Sequence, residues 1–419
     1  MLRVRYTAWD GSQEVRLSAD RVFERLSEYL SFTDDVQQAL DWLLHQGLEW
    51  EGVRVMGLDD FLEQLREEIR ARQRDVNFRQ AMAELLLSKE AELRSVHGLA
   101  LQVVGIGTAS HGLAQDPKGL SLSRALALVR RGGDLGQLSR QPVPSDIQEL
   151  IQQSQAEALL ESIPVNYESG QPAIGYLTSA LERGMHAITA NKGPVLHAFA
   201  PLTALSASHG RQFRFEAAVM DGAPVFSLWR EGLPAARLDS FRGILNSTTN
   251  LILSLMEQGK SFDAAVAEAQ RLGIAESDPS GDTEGWDAAI KVAILVTVLM
   301  GVPTGLGQVQ RRGINGLTEV EIGQASQAGR RWKLVCSAKR IGERVEARVG
   351  PEQLDSTDPL FHVMGTSAAV TFVSDVLGEL TISESAPGPR TTAYGMLADL
   401  LNCVRPSSAA TPSPSLTAA

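Results

Sequence analysis

Cysteine is nearly missing: Cys336 and Cys403 are the only two in 419 residues, with no CxxC spacing. Neither a disulfide framework nor a redox pair can be built from them, and a reducing cytoplasm is the expected setting. Long apolar runs are missing too. The longest, Val292 to Met300, falls well short of the roughly 20 residues that cross a bilayer, and the start, MLRVRYTAWDGSQ, has no apolar signal core. Positive charge is in deficit, with 39 Lys and Arg against 50 Asp and Glu and a net charge of −11. That balance disfavours a nucleic acid or an anionic membrane as partner. The seven histidines show no HxxxH or clustered spacing, so no zinc site is expected. What is present is 43% hydrophobic residues, enough for roughly two or three cores in a globular chain.

Residues 1 to about 75 form one compositional block, a short alternating strand over Leu2 to Tyr6 followed by helical patterns and closed by the charged helix FLEQLREEIRARQRD. From Arg79 the character changes to strands alternating with helices. The helix AMAELLLSKEAEL leads to a strand over 99–107, a helix Ser121 to Arg131, a strand Glu157 to Ile163, a helix Pro172 to Arg183 and a strand Met185 to Thr189. This alternation predicts an α/β fold with a doubly wound parallel sheet over 76–200. Residues 201–385 read as a second, α+β domain: strands Phe213 to Val219 and Phe241 to Leu245, three helices, and strands from Trp332 to Val349. A last helix, Thr391 to Cys403, returns to the first domain within 386–405. The Pro, Ser and Ala tail over 406–419 carries little apolar surface to bury and is expected to be disordered.

The glycines Gly105-Ile106-Gly107 follow an apolar strand, as a dinucleotide phosphate loop would. A phosphate loop also needs a prompt helix whose amides face the pyrophosphate. Here Ser110-His111-Gly112 and Asp116-Pro117-Lys118-Gly119 follow instead, so an ordinary strand end is the favoured reading.

Two other stretches carry chemistry. ITANKGPV (188–195) sets Lys192 directly after a buried strand in a tight Asn-Lys-Gly turn, at the carboxyl end where open α/β sheets bind ligands; a plain surface-turn lysine is the competing reading. GIAESDPSGDTEGWDAAIK (273–291) gathers Glu276, Asp278, Asp282, Glu284 and Asp287 ahead of Lys291. Asp287 and Lys291 are spaced i, i+4 and share a helix face. A solvated acidic loop would explain the charges, but VAILVTVLM after Lys291 is apolar all round and must be buried. A lysine at the mouth of a buried helix, facing carboxylates, suits binding an amino-acid ammonium and moving a proton.

Taken together, ITANKGPV, FRFEAAVMDGAPV (213–225), RGILNSTTNLIL (242–253) and the segment from Glu276 to Lys291 resemble homoserine dehydrogenase, over about 79–403. The resemblance implies a Rossmann-like nucleotide-binding domain, an α+β substrate and dimerisation domain, and the reversible NAD(P)H-dependent reduction of L-aspartate 4-semialdehyde to L-homoserine, on the route to threonine and methionine. It implies Lys291 as the proton donor to the carbonyl oxygen and Lys192 between nicotinamide and substrate. Glu276, Asp282 and Asp287 would hold the homoserine amine, with Gly273 contacting both ligands and Gly388 near the cofactor. Backbone carbonyls of Glu216, Val219, Asp221 and Ala223 would hold a sodium or potassium ion, although Met220 and Asp221 stand where many members have glycine and Ser247 replaces the glycine of NGTTN. A small-molecule substrate and a homodimer or higher homo-oligomer follow from the resemblance, and feedback through a regulatory ACT domain does not.

One element of the family pattern is absent. Its glycine fingerprint belongs just before AMAELLLSKEAEL, yet the sequence there is IRARQRDVNFRQ and residues 58–97 contain no glycine at all. The close backbone approach that a pyrophosphate needs is not encoded there. Residues 1–75 weakly resemble leader segments of von Willebrand factor A domain proteins, as a gene fusion or a sequence join would leave them. Leu2 to Tyr6 or Val53 to Met56 could supply a substitute strand beside Val103. Thr108 to His111, where the ribose would be read, offers neither a clear acid nor a clear base, so NAD and NADP both stay open. The rival to the enzyme reading is a non-catalytic binding scaffold.

Overall fold

The structure is a computed structural model that describes residues 4–6, 48–50, 80–385 and 387–404. Apart from 4–6 and 48–50, the N-terminal block for which a von Willebrand factor A leader was the expectation lies outside the described residues, as do the segment IRARQRDVNFR and the tail over 406–419, and no observation supports that leader resemblance. Two short strands from the N-terminal block are described: Val4–Tyr6 (β1) pairs antiparallel with Leu48–Trp50 (β2). β1 is therefore not a substitute strand beside Val103, and Val53 to Met56 falls outside the described residues.

A helix over 80–96 leads into Gly105–Gly107 (β3), which pairs antiparallel with Leu113–Gln115 (β4). Only the last three residues of the strand expected over 99–107 form a strand, and they make a hairpin rather than join the parallel sheet. The turn between them is closed locally: the Thr108 N–H donates to the Gly112 carbonyl at 3.0 Å and the Thr108 hydroxyl accepts from the His111 N–H at 2.8 Å. The glycine pair thus feeds a turn and a returning strand, not a helix N-terminus.

The parallel sheet consists of Ala158–Glu161 (β5), His186–Thr189 (β6) and Phe213–Arg214 (β7), in that order. Its side chains alternate between two covered faces. Leu159 and Ala187 meet the helix Ala173–Glu182, whereas Leu160 and Ile188 pack with Leu85, Leu93, Met396 and Leu397 from the helices 80–96 and Pro389–Val404. Helices on both faces make this a Rossmann-like layer, and it explains why β6 is buried along its whole length.

The second sheet has six strands in the order β13-β12-β8-β10-β11-β9: Gly378–Glu384, Ala368–Ser374, Leu238–Ile244, Arg331–Ile341, Arg344–Leu354 and Val309–Arg311. All neighbours are antiparallel except β9 and β11. The helices Ser247–Glu257 and Trp286–Leu299 lie on it, and the 286–299 helix, buried from Ala288 to Val296 apart from Lys291, also packs on the helix Lys192–Ser208 that follows β6. The strand expected over Phe213 to Val219 stops at Arg214. The backbone turns into the short helix Ala217–Met220 because Glu216 accepts from the Phe226 and Ser227 N–H groups at 2.6 and 2.7 Å and folds the chain back on itself.

The same region holds a titrating carboxyl. Asp399, 1% exposed, accepts from the Glu216 N–H at 2.7 Å, and burial pushes its pKa up to about 7. A carboxyl raised in the folded state binds a proton that the unfolded chain has released, so its contribution to stability is lost as pH rises from about 4 to about 7. Asp399→Asn keeps the acceptor oxygen without the charge. Its stability relative to the parent chain is expected to rise between pH 5 and pH 8, by on the order of 2 kcal/mol. Urea unfolding of both proteins at the two pH values checks this; equal differences would show that Asp399 does not titrate in that window.

Candidate active site

The site forms where β5 and β6 end. Glu161, buried at the end of β5, accepts from the Thr189 hydroxyl at 2.5 Å and the Ile163 N–H at 2.7 Å, and burial raises its pKa. This ties the two strand ends together. Asn191 then caps the next helix, its side chain accepting from Gly193 N–H at 2.9 Å and donating to the Ile163 carbonyl at 3.2 Å. Lys192 is therefore the first residue of the helical segment Lys192–Ser208, which kinks at Ala198, rather than part of an isolated tight turn. Its side chain is directed by that helix toward the 286–299 helix.

Gly285, at φ 82°, lets the chain turn in a left-handed conformation before Trp286, which aims the opening turn of the 286–299 helix at Lys192. Asp287 then stands between two ammoniums: Oδ1 is 3.2 Å from Lys192 Nζ and Oδ2 is 3.2 Å from Lys291 Nζ. Lys291 also donates to the Leu245 carbonyl at 2.5 Å. The three side chains are only 14–19% exposed. Burial alone would raise the Asp287 pKa, but Lys192 and Lys291 hold it well below the usual carboxylate range. Conversely, burial works against the Lys192 ammonium, and Asp287 outweighs it and keeps Lys192 protonated above its ordinary value.

Asn246 completes the cluster. It caps the 247–257 helix by accepting from the Thr249 N–H and hydroxyl, both at 2.8 Å, which fixes its amide so that Nδ2 donates to Asp282 Oδ1 at 2.6 Å and to Asp287 Oδ2 at 3.1 Å. Asp282 has its pKa raised, first by burial and then by the neighbouring Asp287 charge. Two carboxylates, one ionised and the other inclined to hold a proton, thus sit beside two ammoniums in a partly dry site, an arrangement able to bind a charged amine and pass a proton.

A family model for homoserine dehydrogenase matches residues 224–401. A protein named NAD(+)-dependent homoserine dehydrogenase from Pseudomonas canavaninivorans is 33% identical over 323 residues, covering 77% of this chain and 92% of the relative. Homoserine dehydrogenase of Methanocaldococcus jannaschii is 34% identical over 322 residues, covering 77% and 94%. The chain belongs to the homoserine dehydrogenase family. A solved structure of a putative homoserine dehydrogenase from Archaeoglobus fulgidus superimposes with a TM-score of 0.68 at 29% identity, covering 77% of this chain and 95% of that one. Membership of this family favours the enzyme reading over the scaffold.

Among the residues singled out from the sequence, Lys192, Asp282, Asp287 and Lys291 meet in one cluster. Asp221 borders it, since its charge acts on Lys192. Glu276 is exposed on the loop after the helix Phe262–Arg271; its charge reaches Tyr167, whereas the ion pairs of both lysines are with Asp287. Gly273, at φ 70°, ends that helix by donating to the Gln270 carbonyl, so its conformation is explained by helix termination. Gly388 lies by Thr391, whose hydroxyl accepts from the Gly388 N–H at 2.9 Å and reaches Asp221 Oδ2 at 3.4 Å. Glu216 and Asp221 flank the short helix 217–220, Val219 lies within it, and the Ala223 carbonyl accepts from the Val225 N–H. Sequence reading missed Asn246 and Tyr167. Asn246 sits in the quoted NSTTN stretch, where an Asn three residues before a Thr was a readable helix cap.

Proposed function

We propose that the chain catalyses the reversible reduction of L-aspartate 4-semialdehyde to L-homoserine with NADH or NADPH, and that the Lys192–Asp287–Lys291 bridge is the observation that carries this reading. Reduction of an aldehyde needs a hydride at carbon and a proton at oxygen. A bound nicotinamide supplies the hydride. Lys291 supplies the proton, and Asp287 with the Leu245 carbonyl holds its ammonium at the place of transfer. Lys192 lies between nicotinamide and substrate, while Asp282, Asp287 and Glu276 attract the substrate's ammonium. Gly273 and Gly388 leave room for a ligand, since a Cβ added at either would meet nothing within 4 Å, as at other surface glycines of the chain.

An alkali ion on the carbonyls of Glu216, Val219, Asp221 and Ala223 belongs to the same reading. It is supported by Asp221, whose φ of 40° reverses the chain within this eight-residue stretch. A cytoplasmic setting and assembly into a homodimer or larger homo-oligomer complete it; no helix among the described residues is long and apolar enough to cross a membrane.

The test is homoserine-dependent formation of NADH and NADPH by the purified chain, with each cofactor titrated by fluorescence at low and high salt. In IRARQRDVNFRQ only arginines attract the phosphates, so cofactor affinity is expected to be weak and to fall further with salt. Replacing residues 1–78 with a strand and a GxGxxG turn is expected to tighten binding by about tenfold or more. Tight, salt-resistant binding by the chain as it stands would show that the N-terminal block builds a phosphate site.

A further inference from the structure

The segment 166–170 between β5 and the 173–182 helix is held against the start of the 192–208 helix. A Cβ at Gly170 would stand 3.0 Å from the Gly193 carbonyl oxygen, and one at Gly193 would stand 3.0 Å from the Gly170 Cα and 3.1 Å from the Asn166 oxygen, so the two backbones touch where only glycines fit. Asn166 braces the loop by accepting from the Glu168 and Ser169 N–H groups at 3.1 and 3.0 Å. The Tyr167 carbonyl is bonded at 2.9 Å to His197 Nε2, one turn into the same helix. These contacts fix Tyr167 relative to Lys192.

Tyr167 is 47% exposed, unusual for a large side chain on so firmly held a loop. Its hydroxyl nevertheless lies in the field of Lys192, Asp287, Asp282 and Glu276, with burial raising its pKa and the three carboxylates opposing the pull of Lys192. Tyr167 thus stands beside the charged cluster, partly open to solvent, on a loop anchored to the helix that begins with Lys192.

The charge inventory shows what a hydroxyl donor there is for. Both lysines are paired with Asp287, so an amino acid entering with its ammonium toward the carboxylates brings an α-carboxylate that would have to compete with Asp287 for them. We propose that Tyr167 is a further substrate-binding residue, whose hydroxyl, positioned by the docking of the 166–170 loop on the 192–208 helix, donates to the α-carboxylate of the amino-acid substrate. The inference rests on the reading of the site as one that binds homoserine.

Tyr167→Phe removes the hydroxyl and keeps the ring. In the variant the KM and the calorimetric Kd for homoserine are expected to rise about tenfold, the scale of one hydrogen bond to a charged group, while kcat changes by less than about twofold. With 3-aminopropan-1-ol, which has the amine and hydroxyl but no carboxylate, kcat/KM is expected to be the same in both proteins. Unchanged homoserine binding in Tyr167→Phe, or an equal loss with 3-aminopropan-1-ol, overturns the assignment. Calorimetry keeps it distinct from the proposed reaction: homoserine that binds without turnover overturns the reaction and leaves Tyr167 judged by the change in Kd, whereas no homoserine binding to the parent chain overturns both.

Discussion

Lys291→Ala is expected to lower kcat for homoserine oxidation and for the reverse reduction by about 100-fold or more, the scale of removing a positioned proton donor. The substitution takes away an ammonium held 3.2 Å from Asp287 and 2.5 Å from the Leu245 carbonyl. It leaves Asp287 paired with Lys192 and bonded to Asn246, so the carboxylate is not stranded and the fold is expected to persist. Cofactor affinity should change little. Steady-state rates in both directions, with thermal unfolding of the same preparations, check this; full turnover in the variant removes Lys291 from the chemistry.

Asp287→Asn should be costlier, because it acts on stability as well as rate. The carboxylate is the shared partner of two ammoniums that are themselves mostly buried. An amide has one acceptor oxygen, and its NH2 group would face a second ammonium. Breaking a buried ion pair from one side costs about 3–5 kcal/mol, and the remaining exposure here points to about 3 kcal/mol. Burial would then act on Lys192 without the charge that outweighs it, so its pKa should fall. A kcat reduced about 100-fold together with a clearly lowered unfolding midpoint is the expected result. A variant with normal stability would mean that Asp287 does not hold the two lysines together. The two substitutions thus separate a group that transfers a proton from one that organises the site.

Much of this was legible along the chain wherever the determining contacts are local. The i, i+4 spacing of Asp287 and Lys291, followed by apolar residues on every face, specified a buried helix with one charged edge at its start, and that helix formed over Trp286–Leu299. The alternation of strand and helix from Glu157 to Thr189 specified the 173–182 helix and β6 to within one residue at each end, and β5 in place though three residues shorter than expected, since each has its own period and its own stops.

Tertiary structure decided what local pattern leaves degenerate. Phe213 to Val219 has the composition of a strand, but Glu216 uses its carboxylate on the Phe226 and Ser227 N–H groups and turns the backbone into a helix after Arg214. The apolar residues before Gly105 fit a sheet strand, yet only Gly105–Gly107 pair, and they pair with Leu113–Gln115 six to ten residues on. Lys192 read equally well as a surface lysine. Its role depends on Asp287, 95 positions away, and no spacing rule reaches across two elements that meet only because the 192–208 and 286–299 helices pack together. The same holds for Asn246 and Tyr167, whose neighbours come from other segments. Sequence determined the elements and the charged groups they carry, because those follow from periodicity and capping; the protonation, pairing and orientation of those groups were decided by burial and by distances between helices that only the packed chain defines.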